Sequence, residues 1–373
     1  MTTPPIISTA LTRLTGVSHP IVQTGMGWVA GARLVSASAE AGALGLLASA
    51  TMTHAELEQQ IIEVKERTDK PFGVNLRADA GDAAERVDLL IRHGVKVASF
   101  ALAPRRELIA RLKDAGIVVI PSIGAVRHAE KVAEWGADAV MVQGGEGGGH
   151  TGAVPTSILL PSVVSAVDIP VIAAGGFHDG RGLAAALAYG AVGVGMGTRF
   201  LLTSDSAVPE QIKQRYLGFG LDGTVVTTRA DGMPHRLLRT DFVNGLEQGS
   251  GLAQLLPTLR RTLAFKRMSG QSWPALVRDA IAMKRASGRS WLQMSQAANT
   301  PMLLKAGLVD GDVEAGMLAA GQVVGLIDDL PSCEELVDRV VRDAAAHLRA
   351  AAAQVIEPTE GASDDIAHAS GTR

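Results

Sequence analysis

Cysteine, aromatic rings and excess charge are all scarce in this 373-residue chain. Its one cysteine, Cys333, can close no intrachain disulfide and build no cysteine-rich zinc site, which fits a reducing compartment and makes the cytoplasm the expected location. Aromatic residues are 3% of the total, so Val, Ile, Leu, Ala and Met must fill the core, and such side chains suit helices packed closely on a parallel sheet. Lys and Arg number 35 against 38 Asp and Glu, and the net charge of -3 exerts no global pull toward nucleic acid. No uncharged apolar run reaches membrane-spanning length unbroken by glycine, so no membrane association is expected. The first residues lack a basic segment ahead of an apolar core, so no signal peptide is expected either. The nine histidines show no ligand spacing with carboxylates, which argues against a metal site. No sequence repeat with a period of roughly 20 to 50 residues is present.

What the chain has is glycine, 42 of them, and a steady alternation of short apolar runs with amphipathic segments. Strands are predicted at 20–26, 43–48, 71–76, 97–102, 117–120, 139–142, 170–174 and 192–196, with helices between them. Eight mostly non-alternating strands separated by helices indicate an α/β protein with a closed (β/α)8 TIM barrel over residues 12–200. An open doubly wound sheet is the rival, but glycine-rich stretches recur after many strands instead of only the first. Residues 201–300, with a basic stretch at 260–284, are read as a lid or inserted helical region, and residues 301–356 as a C-terminal segment packing on the barrel. Residues 357–373 are small, polar and aperiodic, and are expected to be disordered. A helix from Cys333 to Ala353 places Leu336, Val337, Val340 and Val341 on one face, for core contact or for an oligomer; a homodimer is the expected assembly.

Barrel chemistry sits at the C-terminal ends of the strands. After the sixth predicted strand comes Gln143 followed by Gly144, Gly145, Glu146, Gly147, Gly148, Gly149 and His150, a backbone able to lie against a flat or phosphorylated ligand and delivering one imidazole. Gly175-Gly176 and Gly197-Thr198 follow strands seven and eight, where backbone N–H groups before helices suit a phosphate. Glu146 reads as a cap for its own loop, and Cys333 as a buried helix residue. His235, beside Arg236, reads equally as a residue over the active site or as a surface residue, and Trp28 as a wall for the flat ligand or as rim packing.

The set Gln23-Thr-Gly-Met26, Gly73-Val-Asn75, Gly144 to His150, Ala173-Ala-Gly-Gly176 and Met196 to Phe200 resembles the nitronate monooxygenase (2-nitropropane dioxygenase) family of FMN-dependent barrels. The similarity runs from residue 12 to about residue 330. The stretches 25–33, 100–104, 222–228 and 231–236 look closest to actinobacterial members acting on hydrindane-carboxyl-CoA intermediates of steroid (cholesterol) degradation. The resemblance implies that Gly175, Gly176, Gly197 and Thr198 hold the FMN phosphate and that Met26, Asn75 and Gln143 line the flavin. Gln23, Gly25, Gly148 and Gly149 complete the implied cofactor site, and His150 is the implied catalytic residue. The family commonly has Ala where Gly147 stands, and Gly321-Gln322 matches a second family element.

The implied reaction forms or reduces a C=C bond α,β to a CoA thioester, with His150 handling the α-proton and NAD(H) as candidate electron partner. The alternative is nitronate oxidation with oxygen, which needs the same proton transfer, because an imidazole exchanges protons near neutral pH whichever carbon acid it faces. A flavin- or phosphate-binding module without catalysis is a third reading. Arg77, Arg105 and Arg106 follow strands and read either as partners of CoA phosphates or as solvated helix starts.

Overall fold

The structure, a computed structural model, describes residues 5–248, 291–314 and 316–355. Residues 249–290 of the expected lid, including the basic stretch 260–284, lie outside the described residues, and so does the tail at 357–373.

The strands are β1 (Ile21–Gln23), β2 (Leu44–Ala48), β3 (Phe72–Arg77), β4 (Val97–Ala101), β5 (Val118–Ile123), β6 (Val140–Gln143), β7 (Gly149–His150), β8 (Val171–Ala174), β9 (Val194–Met196), β10 (Thr224–Thr227) and β11 (His235–Leu238). Eight of them, in the order β1-β2-β3-β4-β5-β6-β8-β9, close into a parallel barrel. Closure is made by β1 against β9, with Gln23 opposite Met196. All eight predicted strands are thus present, each trimmed or shifted by a few residues. Their apolar runs have a physical cause: both faces of a barrel strand are covered, and all five residues of β2 are buried. Gly45 in β2 has no room for a side chain, since a Cβ there would lie 2.6 Å from the Val35 carbonyl oxygen.

Helices α1 (Ala10–Thr15), α2 (Ala32–Glu40), α3 (His54–Arg67), α4 (Ala83–His93), α5 (Arg106–Asp114), α6 (Val126–Glu134), α7 (Thr156–Val164) and α8 (Gly180–Ala188) accompany the barrel. After β9 come α9 (Thr198–Leu201) and α10 (Glu210–Leu217), then α11 (Asp241–Gln248), α12 (Trp291–Leu308) and α13 (Cys333–Ala352). Helix α10 starts at Glu210, later than the predicted 206, because Pro209 occupies its N-cap.

Helix α9 has only four residues, too few to cover the barrel beside β9. Helix α13 takes that place, packing on α8 and α2 with Leu336, Val337, Val340 and Val341 all at 1% exposure or less. The apolar face read from the sequence is therefore spent on the barrel, and a dimer would need another surface. Cys333, at the start of α13, is fully buried near Ser38 and Thr203, and burial pushes its thiol up to about 12. Among the described residues no helix is long and apolar enough to cross a membrane.

The described part of 201–300 holds two strands as well as helices. Strands β10 and β11 form an antiparallel hairpin that takes β7, from the loop after β6, as its third strand, in the order β10-β11-β7. This small sheet was not legible from periodicity, because β7 has only two residues, one of them glycine.

Candidate active site

The loop after β6 is bonded at nearly every step. The Gly144 N–H donates to Ala174 O at 3.0 Å, and Gly145 N–H to Val154 O at 2.7 Å. Glu146 is engaged by α7: its carboxylate accepts from the Thr156 amide at 3.0 Å and the Thr156 hydroxyl at 2.7 Å. At Gly148 the backbone runs against 320–321, where an added Cβ would stand 2.5 Å from Gly321 N. Gly149 then pairs with Arg236 and His150 with His235 across β7 and β11. Arg236 fastens the two strands to the loop, donating to Gly145 O at 2.8 Å and Thr224 Oγ1 at 2.9 Å. Gln143 Nε2 donates to His150 O at 2.8 Å, so this side chain anchors the histidine's backbone.

That scaffold brings together three groups that lie far apart in the sequence. His150 Nε2 lies 2.6 Å from Asp231 Oδ2, with the His150 side chain 48% exposed and that of Asp231 7% exposed. Asp231 Oδ1 also accepts from the Met233 amide at 3.1 Å. His235 is buried at 2% exposure, which removes the surface reading, and its ring centroid lies 4.6 Å from that of His150. Its Nδ1 is 3.8 Å from Asp231 Oδ2, an ion-pair distance too long for a hydrogen bond, so both ring nitrogens are buried without a hydrogen-bond partner.

Burial opposes charge on Asp231, but the contacts from His150 and His235 and the Met233 amide outweigh it, and the carboxyl is held far below its usual range. Burial lowers His235, more than the Asp231 charge raises it, and His150 lowers it further. These three residues also form the one metal-capable cluster among the described residues, with ligand atoms within 4.8 Å. Within the cluster His150 and Asp231 stand at hydrogen-bond distance, 2.6 Å. Sequence reasoning placed His235 either over the active site or at the surface without linking it to His150, and Asp231 entered only as a member of the stretch 231–236.

The predicted cofactor residues collect at the C-terminal ends of β1, β3, β6, β8 and β9. Gln23 is fully buried; its Nε2 donates to backbone carbonyls while its Oε1 has no partner. Gly25 passes directly over Asn75, where a Cβ would lie 2.5 Å from the Asn75 Cβ. Asn75 Nδ2 donates to Ser99 Oγ at 3.2 Å. Gly197 adjoins Thr24 and half-buried Met26, with Met26 Sδ 3.4 Å from a Cβ built there. Gly175 and Gly176 have φ of +91° and +84°, a left-handed pair that glycine alone adopts freely. Thr198 Oγ1 accepts from Gly321 N–H at 2.8 Å, which leaves its hydroxyl proton for another acceptor. Beyond the Gly175-Gly176 turn, Asp179 Oδ1 caps α8 through Gly182 N–H at 2.9 Å.

These residues fit FMN: a buried acceptor on Gln23 awaits a donor, and the Gly175-Gly176 turn and the Thr198 hydroxyl suit a phosphate. Two non-glycine residues with positive φ, Trp28 (+65°) and Leu102 (+72°), follow β1 and β4 at the same end, where strain commonly accompanies function. Trp28 Nε1 donates to Pro301 O at 2.8 Å, and Lys305 Nζ lies 5.9 Å from its ring, so α12 leans on the barrel mouth. Arg77 is engaged by Asp79 at 2.6 Å, whereas Arg105 and Arg106 are exposed at the start of α5.

A family model described as nitronate monooxygenase matches residues 8–90 and 81–343. The (3aS,4S,5R,7aS)-5-hydroxy-7a-methyl-1-oxo-octahydro-1H-indene-4-carboxyl-CoA dehydrogenase of Mycobacterium tuberculosis is 66% identical over 352 residues, covering 94% of this chain and 99% of that protein. Among solved structures, FabK from Thermotoga maritima superposes with a TM-score of 0.77 at 33% identity, covering 94% of this chain and 100% of that one. The nitroalkane oxidase from Streptomyces ansochromogenes does so with a TM-score of 0.72 at 29% identity, covering 92% and 100%.

Proposed function

Because the chain belongs to the nitronate monooxygenase family and is an FMN-dependent oxidoreductase, we propose that it dehydrogenates a hydrindane-carboxyl-CoA of steroid ring degradation. The product is the α,β-unsaturated thioester. The observation that carries this reading is the 66% identity, spread over nearly the full length of both chains, to a dehydrogenase of that substrate class. Gly175, Gly176, Gly197 and Thr198 would hold the FMN phosphate, and Gln23, Gly25, Met26, Asn75, Gln143, Gly148 and Gly149 the ring end. Bound FMN supplies the two-electron acceptor for the β-hydrogen and its bonding pair. His150 takes the proton α to the thioester carbonyl, and the electron pair released there forms the new C=C bond.

The rest of the site organises that transfer. Gln143 and the β7–β11 pairing hold the His150 backbone, and Asp231 balances the positive charge that the imidazole gains. NAD(H) is proposed as electron partner, meeting the flavin at the same open end of the barrel. A cytoplasmic setting agrees with a lone, buried and unreactive cysteine.

Anaerobic titration with a hydrindane-carboxyl-CoA tests the reading. The flavin absorption should bleach in proportion to thioester added, and unsaturated thioester should appear in equal amount. Oxygen-dependent turnover of alkyl nitronates with no bleaching by the thioester would instead make the protein a nitronate monooxygenase.

A further inference from the structure

We propose that His150 exchanges its proton through Nδ1, with Asp231 as a positioning residue that keeps Nε2 protonated and His235 as a neutral wall behind the ring. The proposal rests on the reading of His150 as the proton acceptor and adds which nitrogen acts and what fixes it. The argument starts from the 2.6 Å contact between Nε2 and Asp231 Oδ2. An ionised carboxylate accepts hydrogen bonds and donates none, so Nε2 must carry the hydrogen at the other end. In the neutral ring the lone pair then belongs to Nδ1. The carboxylate cannot swing away easily, because its other oxygen takes the Met233 amide at 3.1 Å and its side chain is 7% exposed.

The groups around His150 agree with this assignment. On the β11 side stand His235 and Asp231. A protonated His235 would compete for Asp231 and repel an imidazolium at His150. The His235 ring is buried without a hydrogen-bond partner at either nitrogen, which favours its neutral form. From the end of β3, Arg77 acts on Asp231 at longer range and is itself paired with Asp79. Arg236 is directed to Gly145 and Thr224. Asp231 is therefore the nearest countercharge for a proton arriving at Nδ1. The imidazolium formed keeps Nε2–H on the carboxylate, and when the proton leaves from Nδ1 the ring returns to its starting tautomer.

Two-bond 15N–1H correlation spectra of the FMN-loaded protein, labelled at histidine nitrogens and recorded above the imidazole titration range, read the tautomer directly. His150 is assigned by the signal lost in His150→Gln. The expected wild-type pattern is protonated Nε2 with bare Nδ1; protonated Nδ1 in the wild type overturns the proposal, with no variant needed. In kinetics, Asp231→Asn should lower kcat by about 100-fold with KM changed less than about twofold, as expected for impaired acid–base catalysis. The acid limb of its pH profile should move to lower pH, since the imidazolium loses its countercharge, and Asp231→Glu should recover part of the rate. An unmoved acid limb with unchanged kcat overturns the proposal. Failure of the thioester reading shows separately, as no flavin bleaching by any acyl-CoA, while the tautomer remains measurable.

Discussion

The Gly321 amide donates to the Thr198 hydroxyl at 2.8 Å, joining two segments 123 residues apart inside the protein. Next to it, Gln322 N–H donates to Glu146 O at 2.9 Å. The segment after the barrel thus reaches back to both the start of α9 and the glycine-rich loop, which gives Gly321-Gln322 a physical role. Its amides orient a hydroxyl and a loop that would meet the cofactor.

Thr198→Val should therefore act twice. It removes the proposed phosphate donor and leaves a buried amide unpaired, at a cost of about 1–3 kcal/mol. We expect FMN affinity, measured by recovery of flavin fluorescence on dilution, to fall at least about tenfold, and the melting temperature of the FMN-free protein to drop. Thr198→Ser should restore both. Tight FMN binding by the valine variant would remove Thr198 from the phosphate site.

Gly175→Ala should cost about 1–2 kcal/mol, because an L-residue is forced into left-handed backbone. Its Cβ would also press on Gly144 O at 3.0 Å, whereas at Gly176 the nearest atom, Glu146 Cβ, stands at 3.5 Å. Denaturant titration without FMN should accordingly show a larger loss for Gly175→Ala than for Gly176→Ala. Both should bind FMN more weakly.

Acid should destabilise the fold early. Burial, as the largest cause, lowers His19, His178 and His235 below the ordinary value of 6.5. The folded chain then binds fewer protons than the unfolded one, so this stability is complete above pH 6.5 and is lost as pH falls through the depressed folded values. Melting temperatures should decline from about pH 6.5 downward, before carboxylates titrate. In His235→Gln the decline should be shallower; an identical slope would mean that His235 is already free to protonate in the folded state.

Glu146→Ala should cost about 1 kcal/mol through loss of its hydrogen bonds to Thr156 at the start of α7. Because the carboxylate is turned toward Thr156, the pH dependence of turnover should keep its shape, with kcat reduced only as far as FMN content falls. A shifted pH profile would show that Glu146 takes part in proton transfer.

The barrel was legible because a strand covered on both faces needs apolar residues at successive positions, as in Leu44–Ala48, and that requirement is local. Strand-end glycines were legible for a similar reason. Gly175 and Gly176 carry a backbone shape that is written in residue type. The order of the eight barrel strands and the gathering of the glycine-rich stretches at their C-terminal ends follow from the chain read in sequence.

What surrounds His150 was settled only by tertiary structure. Its carboxylate partner is 81 residues away, on a turn whose neighbouring strand happens to register His235 opposite His150. A two-residue strand has no periodicity to reveal that register, and a buried Asp231 and His235 have no local mark separating them from surface residues. Sequence determined a glycine-lined barrel with His150 just after a strand end. The fold decided which of its nitrogens a carboxylate occupies, because hydrogen bonds between distant segments depend on distances that only packing sets.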